Sequence, residues 1–229
     1  MPTSLVHDPL FGVAVTVLAY TAALRLNRRL KWLHPLFVTS AGLIALLLLA
    51  DIPYEAYRKG GDHLAFFLGP ATVALGVPLY RQAALIRRRL AAMFAGITVG
   101  CVSAMASAAG LVWLMGGTRE LLISMMPKAA TTPISVEIAR QLGGQPELTA
   151  VLTVVTGLIG SMIGPELLRL AGIREDVPLG AAVGTAAHGI GTARLVRESE
   201  LAGSVSGFSM GAAGIVTALL AIPLDIWLF

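Results

Sequence analysis

The sequence predicts an all-α polytopic membrane protein, and three observations carry that prediction. First, 56% of the 229 residues are hydrophobic and only 13% charged, with a mean hydropathy of +0.79; soluble domains carry roughly a quarter charged residues. Second, apolar windows fall at 9–27, 33–50, 64–81, 89–116, 119–141, 147–171, 177–195 and 201–228, most of them near the roughly 20 residues that cross the hydrocarbon core as a helix. Third, the third and fifth windows are interrupted by prolines and the seventh by glycines set around a histidine. The expectation is eight crossing elements in one transmembrane domain, 1–229, with no separate soluble domain.

The first window has no Lys or Arg before it and no small-residue cleavage site after it, so it reads as a transmembrane helix and not as a removable signal peptide. Windows two, four and eight read as plain helices. The third carries Gly69, Pro70, Gly76 and Pro78, the fifth Pro127 and Pro133, and the seventh Gly180, Gly184, Gly189 and Gly191 around His188. Proline removes a backbone donor and crowds the preceding turn. Irregular backbone survives at membrane depth only where protein or a water-filled cavity satisfies it. Three discontinuous helices therefore predict a central binding site, with half-helix N-termini offering free N–H groups to an anion. For the fifth window the sequence leaves open whether it crosses fully or re-enters.

The odd-numbered windows each end in arginine, and "GPATVALGVPLYRQ" aligns with "MPKAATTPISVEIARQ" at Pro70 and Pro127, so internal repeats of a hairpin are expected. With eight crossings, the loops after odd-numbered elements hold eleven basic residues, among them Arg87, Arg88, Arg89, Arg140, Arg194 and Arg197. The opposite side holds Arg58, Lys59, Arg119, Arg169 and Arg174. The positive-inside bias then places both termini outside. The net charge of +4 belongs to topology and anionic headgroups, and no nucleic-acid partner is expected. Cys101 is the single cysteine, which excludes an intramolecular disulfide or a Cys-based metal site and reads as a buried small hydrophobe.

Lys128 is the one basic residue that falls in no loop. It either snorkels to the interface or faces the cavity as a buried cation. Thr131 and Thr132 add hydroxyls beside it, and Thr72 occupies the matching part of the third window. Glu137 reads as a counter-ion, a proton-coupling carboxylate, or a polar face near Arg140. His188 and Thr185 lie in "GTAAHGIGTAR"; the histidine is a core residue, or a substrate contact or proton relay, since imidazole titrates near neutral pH. Arg194 anchors a carboxylate or marks a helix end. "GIG" is no dinucleotide fingerprint, there is no Gly-x-Ser-x-Gly elbow and no His-Glu-x-x-His, and the four histidines are scattered. No enzyme, cofactor or metal is expected.

The stretches "FFLGPATVALGVPLYRQ", "SMMPKAATTPISVEIARQLGGQPELTAVLTVVTGLIG" and "AAVGTAAHGIGTARLVRESELAGSVSGFSMGAAGIVTALL", with "IPYEAYRKGG" before them, resemble the LrgB/CidB family over nearly the whole chain. The resemblance implies a bacterial cytoplasmic-membrane protein. Family members are described as holin-like or antiholin-like modulators of murein hydrolase activity and autolysis, commonly encoded beside an LrgA/CidA-like membrane partner. A similar region forms part of a plastid glycolate/glycerate transporter, and pyruvate movement has been linked to bacterial members. The residues favour a compact site for a small solute over a wide polar pore. The expectation is a secondary transporter of small monocarboxylates of the glycolate, glycerate and pyruvate class. Lys128 would be its anion partner, Thr72, Thr131 and Thr132 its hydroxyl ligands, and His188 a polar contact or relay. A separate LrgA-like subunit and homo-oligomerisation are expected; the alternative is a holin-like regulator acting by assembly.

Overall fold

The computed structural model describes residues 6, 8–30, 35–74 and 76–228, except the side chains of Leu68, Ala71, Thr72, Pro78 and residues 224–228. The described residues form helices and turns only. By its internal contacts the chain divides into two compact units, Met1–Ala74 and Leu75–Phe229.

The first unit contains α1 (Pro9–Arg29), α2 (Pro35–Leu49), α3 (Tyr54–Phe66) and α4 (Leu68–Ala74). Asp8 starts α1 by accepting the Leu10 N–H at 2.8 Å, which satisfies one of the donors a helix N-terminus leaves free. Helices α1 and α3 touch backbone to backbone. A methyl on Gly12 would lie 2.5 Å from the Tyr57 carbonyl oxygen, and one on Gly60 would meet the Gly12 Cα at 2.6 Å. Thr16 and Tyr57 share a hydroxyl hydrogen bond of 2.9 Å beside that contact. The missing side chains of Gly12 and Gly60 are thus what lets the two backbones touch.

The second unit contains α5 (Gly76–Arg81), α6 (Ala83–Arg88), α7 (Leu90–Leu114), α8 (Arg119–Met125), α9 (Thr132–Leu142), α10 (Pro146–Leu170), α11 (Asp176–Glu198) and α12 (Glu200–Leu228). With α1, the helices α7, α10 and α12 are long and apolar enough to cross a bilayer, while α2 has 15 residues. Their bounds match the expected windows closely. The first, fourth, sixth and eighth windows are therefore single helices.

The fifth and seventh windows do not cross. Segment α11 has 23 residues and would be about 33 Å long if straight. Yet Ser199, just past its end, donates its hydroxyl to Asp176 at its start over 2.6 Å. The chain folds back at His188, whose φ of 39° and ψ of −136° break the helix. A methyl on Gly191 would meet Ala187 Cβ and Val183 Cγ1, each at 2.7 Å, and Leu195 packs with Leu179 and Val183. Residues eight or more apart in sequence lie side by side, so α11 is a helical hairpin.

The fifth window closes in the same way. The Gln145 N–H donates to Ser124 Oγ on α8 at 2.7 Å, and Thr149 Oγ1 donates to the Ser124 carbonyl at 2.9 Å. The chain from Ser124 to Gln145 folds back on itself: Met126–Thr131 runs out to the tip, α9 returns beside it, and α8 lies at the base of this second, α8–α9, hairpin. A segment whose ends sit within one hydrogen bond of each other cannot traverse a core of roughly 30 Å. Eight crossings are therefore not confirmed: among the described residues four helices are long and apolar enough to span.

The fourfold repeat also lacks support in local structure. Pro70 lies inside α4, whereas the aligned Pro127 lies in the non-helical turn after α8. The interruption between α4 and α5 falls at residue 75, outside the described residues.

The two hairpins of the second unit enter from opposite ends of α10. The α8–α9 hairpin is anchored at Thr149 near its start. The α11 hairpin is anchored at its end, where Arg169 pairs with Glu198 at 2.5 Å. Arg89 faces Glu175 at 3.8 Å and Arg81 faces Glu200 at 3.7 Å at that same end. Arg169 therefore lies beside Arg194 and Arg197, and Arg140 lies at the other end of α10, which corrects their expected grouping.

Candidate functional site

The tips of the two hairpins reach the same stretch of α12. A methyl on Gly189, at the α11 turn, would be 3.7 Å from Met210 Sδ, and one on Gly214 would be 2.6 Å from Ile134 Cδ1 in the first turn of α9. Met210 and Gly214 are one helical turn apart, about 6 Å along the axis. Each tip is followed by an outgoing helix whose first N–H groups have no intrahelical partners.

At the α8–α9 tip, Pro127, Ala129 and Ala130 are buried and Lys128 is half-buried. Ser135 holds the turn closed by donating its hydroxyl to the Pro127 carbonyl at 2.7 Å. Thr131 is the N-cap residue of α9 in extended conformation, and its side chain makes no capping bond. Among the described residues, the Lys128 ammonium and the Thr131 and Thr132 hydroxyls have no hydrogen-bond or ion-pair partner. One cation, two hydroxyls and a helix N-terminus in seven consecutive residues form a set of donors suited to a small anion.

The α11 tip is built differently. His188 is 4% exposed, and its Nε2 lies 3.0 Å from the Thr153 carbonyl of α10. Gly157 makes room for the ring: a methyl there would be 2.5 Å from His188 Cε1. The His188 carbonyl accepts from Thr192 Oγ1 at 2.9 Å, and Thr192 meets Ser206 Oγ on α12 at 2.8 Å. Thr185 turns its hydroxyl to the Ala181 carbonyl at 2.8 Å within its own helix. Gly184 sits directly against the Ser206 backbone, where any side chain would collide. Gly184 and Gly191 thus serve close packing of the hairpin. Three buried hydroxyls around this framework, those of Thr153, Ser161 and Ser209, have no partner among the described residues.

Arg194 is fully engaged. Its guanidinium donates to the carbonyls of Ser161 and Met162, to both oxygens of Glu166, and through Nε to Glu198 Oε1 at 2.8 Å. Pro165 lies inside α10, and a proline leaves the carbonyl four residues earlier without its donor. That carbonyl belongs to Ser161, so Arg194 supplies the hydrogen bond that Pro165 removes.

Glu137 is exposed and holds Arg140 at 2.6 Å and Gln141 at 3.0 Å on its own helix. Thr72, Gly69 and Pro70 belong to the first unit, and Gly76 and Pro78 to the second; the Thr72 and Pro78 side chains lie outside the described ones. Pro133 stands in the first turn of α9. Cys101 is buried, with its thiol directed to the Ala213 carbonyl at 3.7 Å. No group of three His, Cys, Asp or Glu suited to a metal exists among the described residues.

Sequence reasoning passed over Thr153, Gly157, Ser161, Glu166, Glu198 and Ser206. A signal for one of them was present: Pro165, four residues on, marks Ser161 as a carbonyl in need of a donor.

The LrgB-like family profile matches residues 16–226. The uncharacterized protein YwbG of Bacillus subtilis (strain 168) is 38% identical over 212 residues, covering 91% of this chain and 93% of the relative. The uncharacterized protein YxaC of the same organism is 36% identical over 219 residues, covering 95% of each. An uncharacterized protein of Haemophilus influenzae is 34% identical over 209 residues and covers 90% of each. No solved structure matches the chain at a significant level. The profile match spans most of a chain rich in apolar helices, and the chain belongs to the LrgB-like family.

Proposed function

We propose that this membrane protein is a secondary transporter of small monocarboxylates such as glycolate, glycerate or pyruvate. The observation that carries the reading is the pair of hairpins entering from opposite ends of α10, with tips one turn apart on α12. Broken helices meeting near mid-depth are a recurrent device for holding a solute between two alternately open sides. The unengaged donors at Lys128, Thr131 and Thr132 match the charge and size of a two- or three-carbon carboxylate. His188 contributes from the other tip as a polar contact or proton relay, and Arg194 holds that tip in place instead of contacting solute.

In this reading the arginine-rich end of the second unit, with Arg87, Arg88, Arg89, Arg169, Arg174 and Arg197, faces the cytoplasm, and Arg119 and Arg140 lie outside. The C-terminus is then outside, the membrane is the bacterial cytoplasmic membrane, and an LrgA-like subunit and further copies of this chain are its partners.

Uptake of labelled glycolate and pyruvate into proteoliposomes, with and without an LrgA-like subunit, tests the proposal. Saturable uptake is expected, and Lys128→Ala should weaken substrate affinity about ten- to a hundred-fold, the worth of one hydrogen bond to a charged group, without altering thermal unfolding. Absence of saturable uptake from folded protein in both preparations would favour a holin-like modulator acting by assembly.

A further inference from the structure

The α11 hairpin is packed unevenly. Against α10 and α12 it is locked by glycines: Gly157 and Gly160 receive His188 and Ala187, and Gly180 and Gly184 lie on the backbone of α12. Against α7 it is held at Gly100, where a methyl would lie 3.2 Å from Thr185 Cγ2, whereas a methyl on Gly96 would meet nothing within 4 Å. A groove of about 510 Å³ separates the two, lined on one side by Ala92, Gly96, Gly100 and Ala104 and on the other by alanines and Thr185 of the incoming α11 arm. That volume lies within the roughly 300–1,000 Å³ of ordinary ligand sites.

The four α7 residues recur every fourth position and form a smooth strip along that wall, flanked by the apolar side chains of Met93 and Ile97. Arg89 and Glu175 also line the groove, where each neighbours its apolar walls. Their ion pair is loose, 3.8 Å apart, with side chains 53% and 78% exposed. An exposed pair of this kind holds its partner weakly, so an incoming carboxylate displaces Glu175 at little cost. At the inner end, Thr185 and Ala186 precede the His188 turn.

We propose that this groove is the route by which a small carboxylate passes between the arginine-rich end and the hairpin tips, with Arg89 as its first contact. The proposal rests on the transporter reading and adds the path to it. The occupant is a two- or three-carbon carboxylate: the arginine meets its carboxylate and the small alanine walls leave room for the rest. Hydrocarbon alone would gain nothing from Arg89.

The test uses the full chain with Cys101 replaced by alanine, which removes its only thiol. Gly96→Cys places a thiol in open space, since a Cβ there meets nothing within 4 Å. Val99→Cys, at an exposed position of α7 outside the groove, serves as the comparison. In proteoliposomes active in uptake, a charged, water-soluble thiosulfonate should modify Gly96→Cys at least ten-fold faster than Val99→Cys, and pyruvate should slow that reaction. Gly96→Leu should cut uptake at least ten-fold, and Arg89→Gln should raise KM about ten-fold with little change in maximal rate.

Equal or absent modification at both positions in an active preparation, with full uptake by Gly96→Leu, would overturn the groove while leaving the transporter reading intact. A Gly96→Leu protein that fails to fold leaves the labelling ratio to decide. Failure of the parent protein to take up any carboxylate would overturn the transporter reading, and this proposal with it.

Discussion

Removing Arg194 should destabilise the protein chiefly through one carbonyl, and a second substitution should reveal which. Pro165 is fully buried within α10 and cannot donate to Ser161, whose carbonyl instead accepts from the guanidinium. Losing a hydrogen bond from a charged donor to a buried group costs about 1.5–3 kcal/mol. The pairs with Glu166 and Glu198 join side chains that are 52% and 32% exposed to an arginine that is 24% exposed. Each such pair adds about 0.5 kcal/mol after solvent screening. Arg194→Gln should therefore cost about 2–4 kcal/mol. In a Pro165→Ala background the new N–H reaches Ser161 along the helix, and the same Arg194→Gln change should cost only the ion-pair share, about 1 kcal/mol. The difference, a coupling of about 1–3 kcal/mol in a double-mutant cycle, can be read from denaturant unfolding in detergent micelles. Equal losses in the two backgrounds would refute the assignment and make Arg194 an ordinary partner of its two glutamates.

The fold-back of α11 has a direct chemical signature. With Cys101 replaced, cysteines at Asp176 and Ser199 should be joined by a short bifunctional thiol reagent, because the native side chains are within hydrogen-bonding distance; a continuous helix would hold them about 33 Å apart, and no cross-link would form. Gly157→Ala should force the His188 ring off the Thr153 carbonyl, lowering stability by about 1–3 kcal/mol as overpacking does; an unchanged unfolding midpoint would mean that the ring moves freely.

The long helices were legible because nothing competes with their pattern. Windows 89–116, 147–171 and 201–228 became α7, α10 and α12 with small shifts at their ends, since long, mainly apolar runs leave helix as the one way to satisfy the backbone in lipid, and the carbonyl that Pro165 frees in α10 is met by Arg194. The hairpins were not legible, because hydropathy counts residues and ignores their direction: 23 residues folded back on themselves have the composition of 23 that cross. The contradiction was nevertheless in the arginines. Eight crossings put Arg169 and Arg174 opposite Arg194 and Arg197, and the Arg169–Glu198 pair shows them together.

At the candidate site, the breaks around Pro127–Pro133 and His188 were readable from proline and glycine chemistry. The placement of Lys128, Thr131 and Thr132 in one unengaged turn follows from them. What could not be read was the separation of roles between the two tips. His188, Thr185 and Arg194 are tied to backbone and acids that lie 4 to 35 positions away, and only the tertiary contacts identify those partners.

The order of synthesis gives the α11 hairpin a consequence for biogenesis. Its glycine face, at Gly180 and Gly184, rests on Ala202 and Ser206 of α12, which leave the ribosome after it. Until α12 is in place, the broken backbone at His188 lacks part of the protein surround that a lipid core demands. The hairpin therefore waits at the membrane surface and enters as a folding step once α12 has inserted, so that a chain cut before Glu200 would keep α10 anchored and leave Asp176 to Glu198 open to protease.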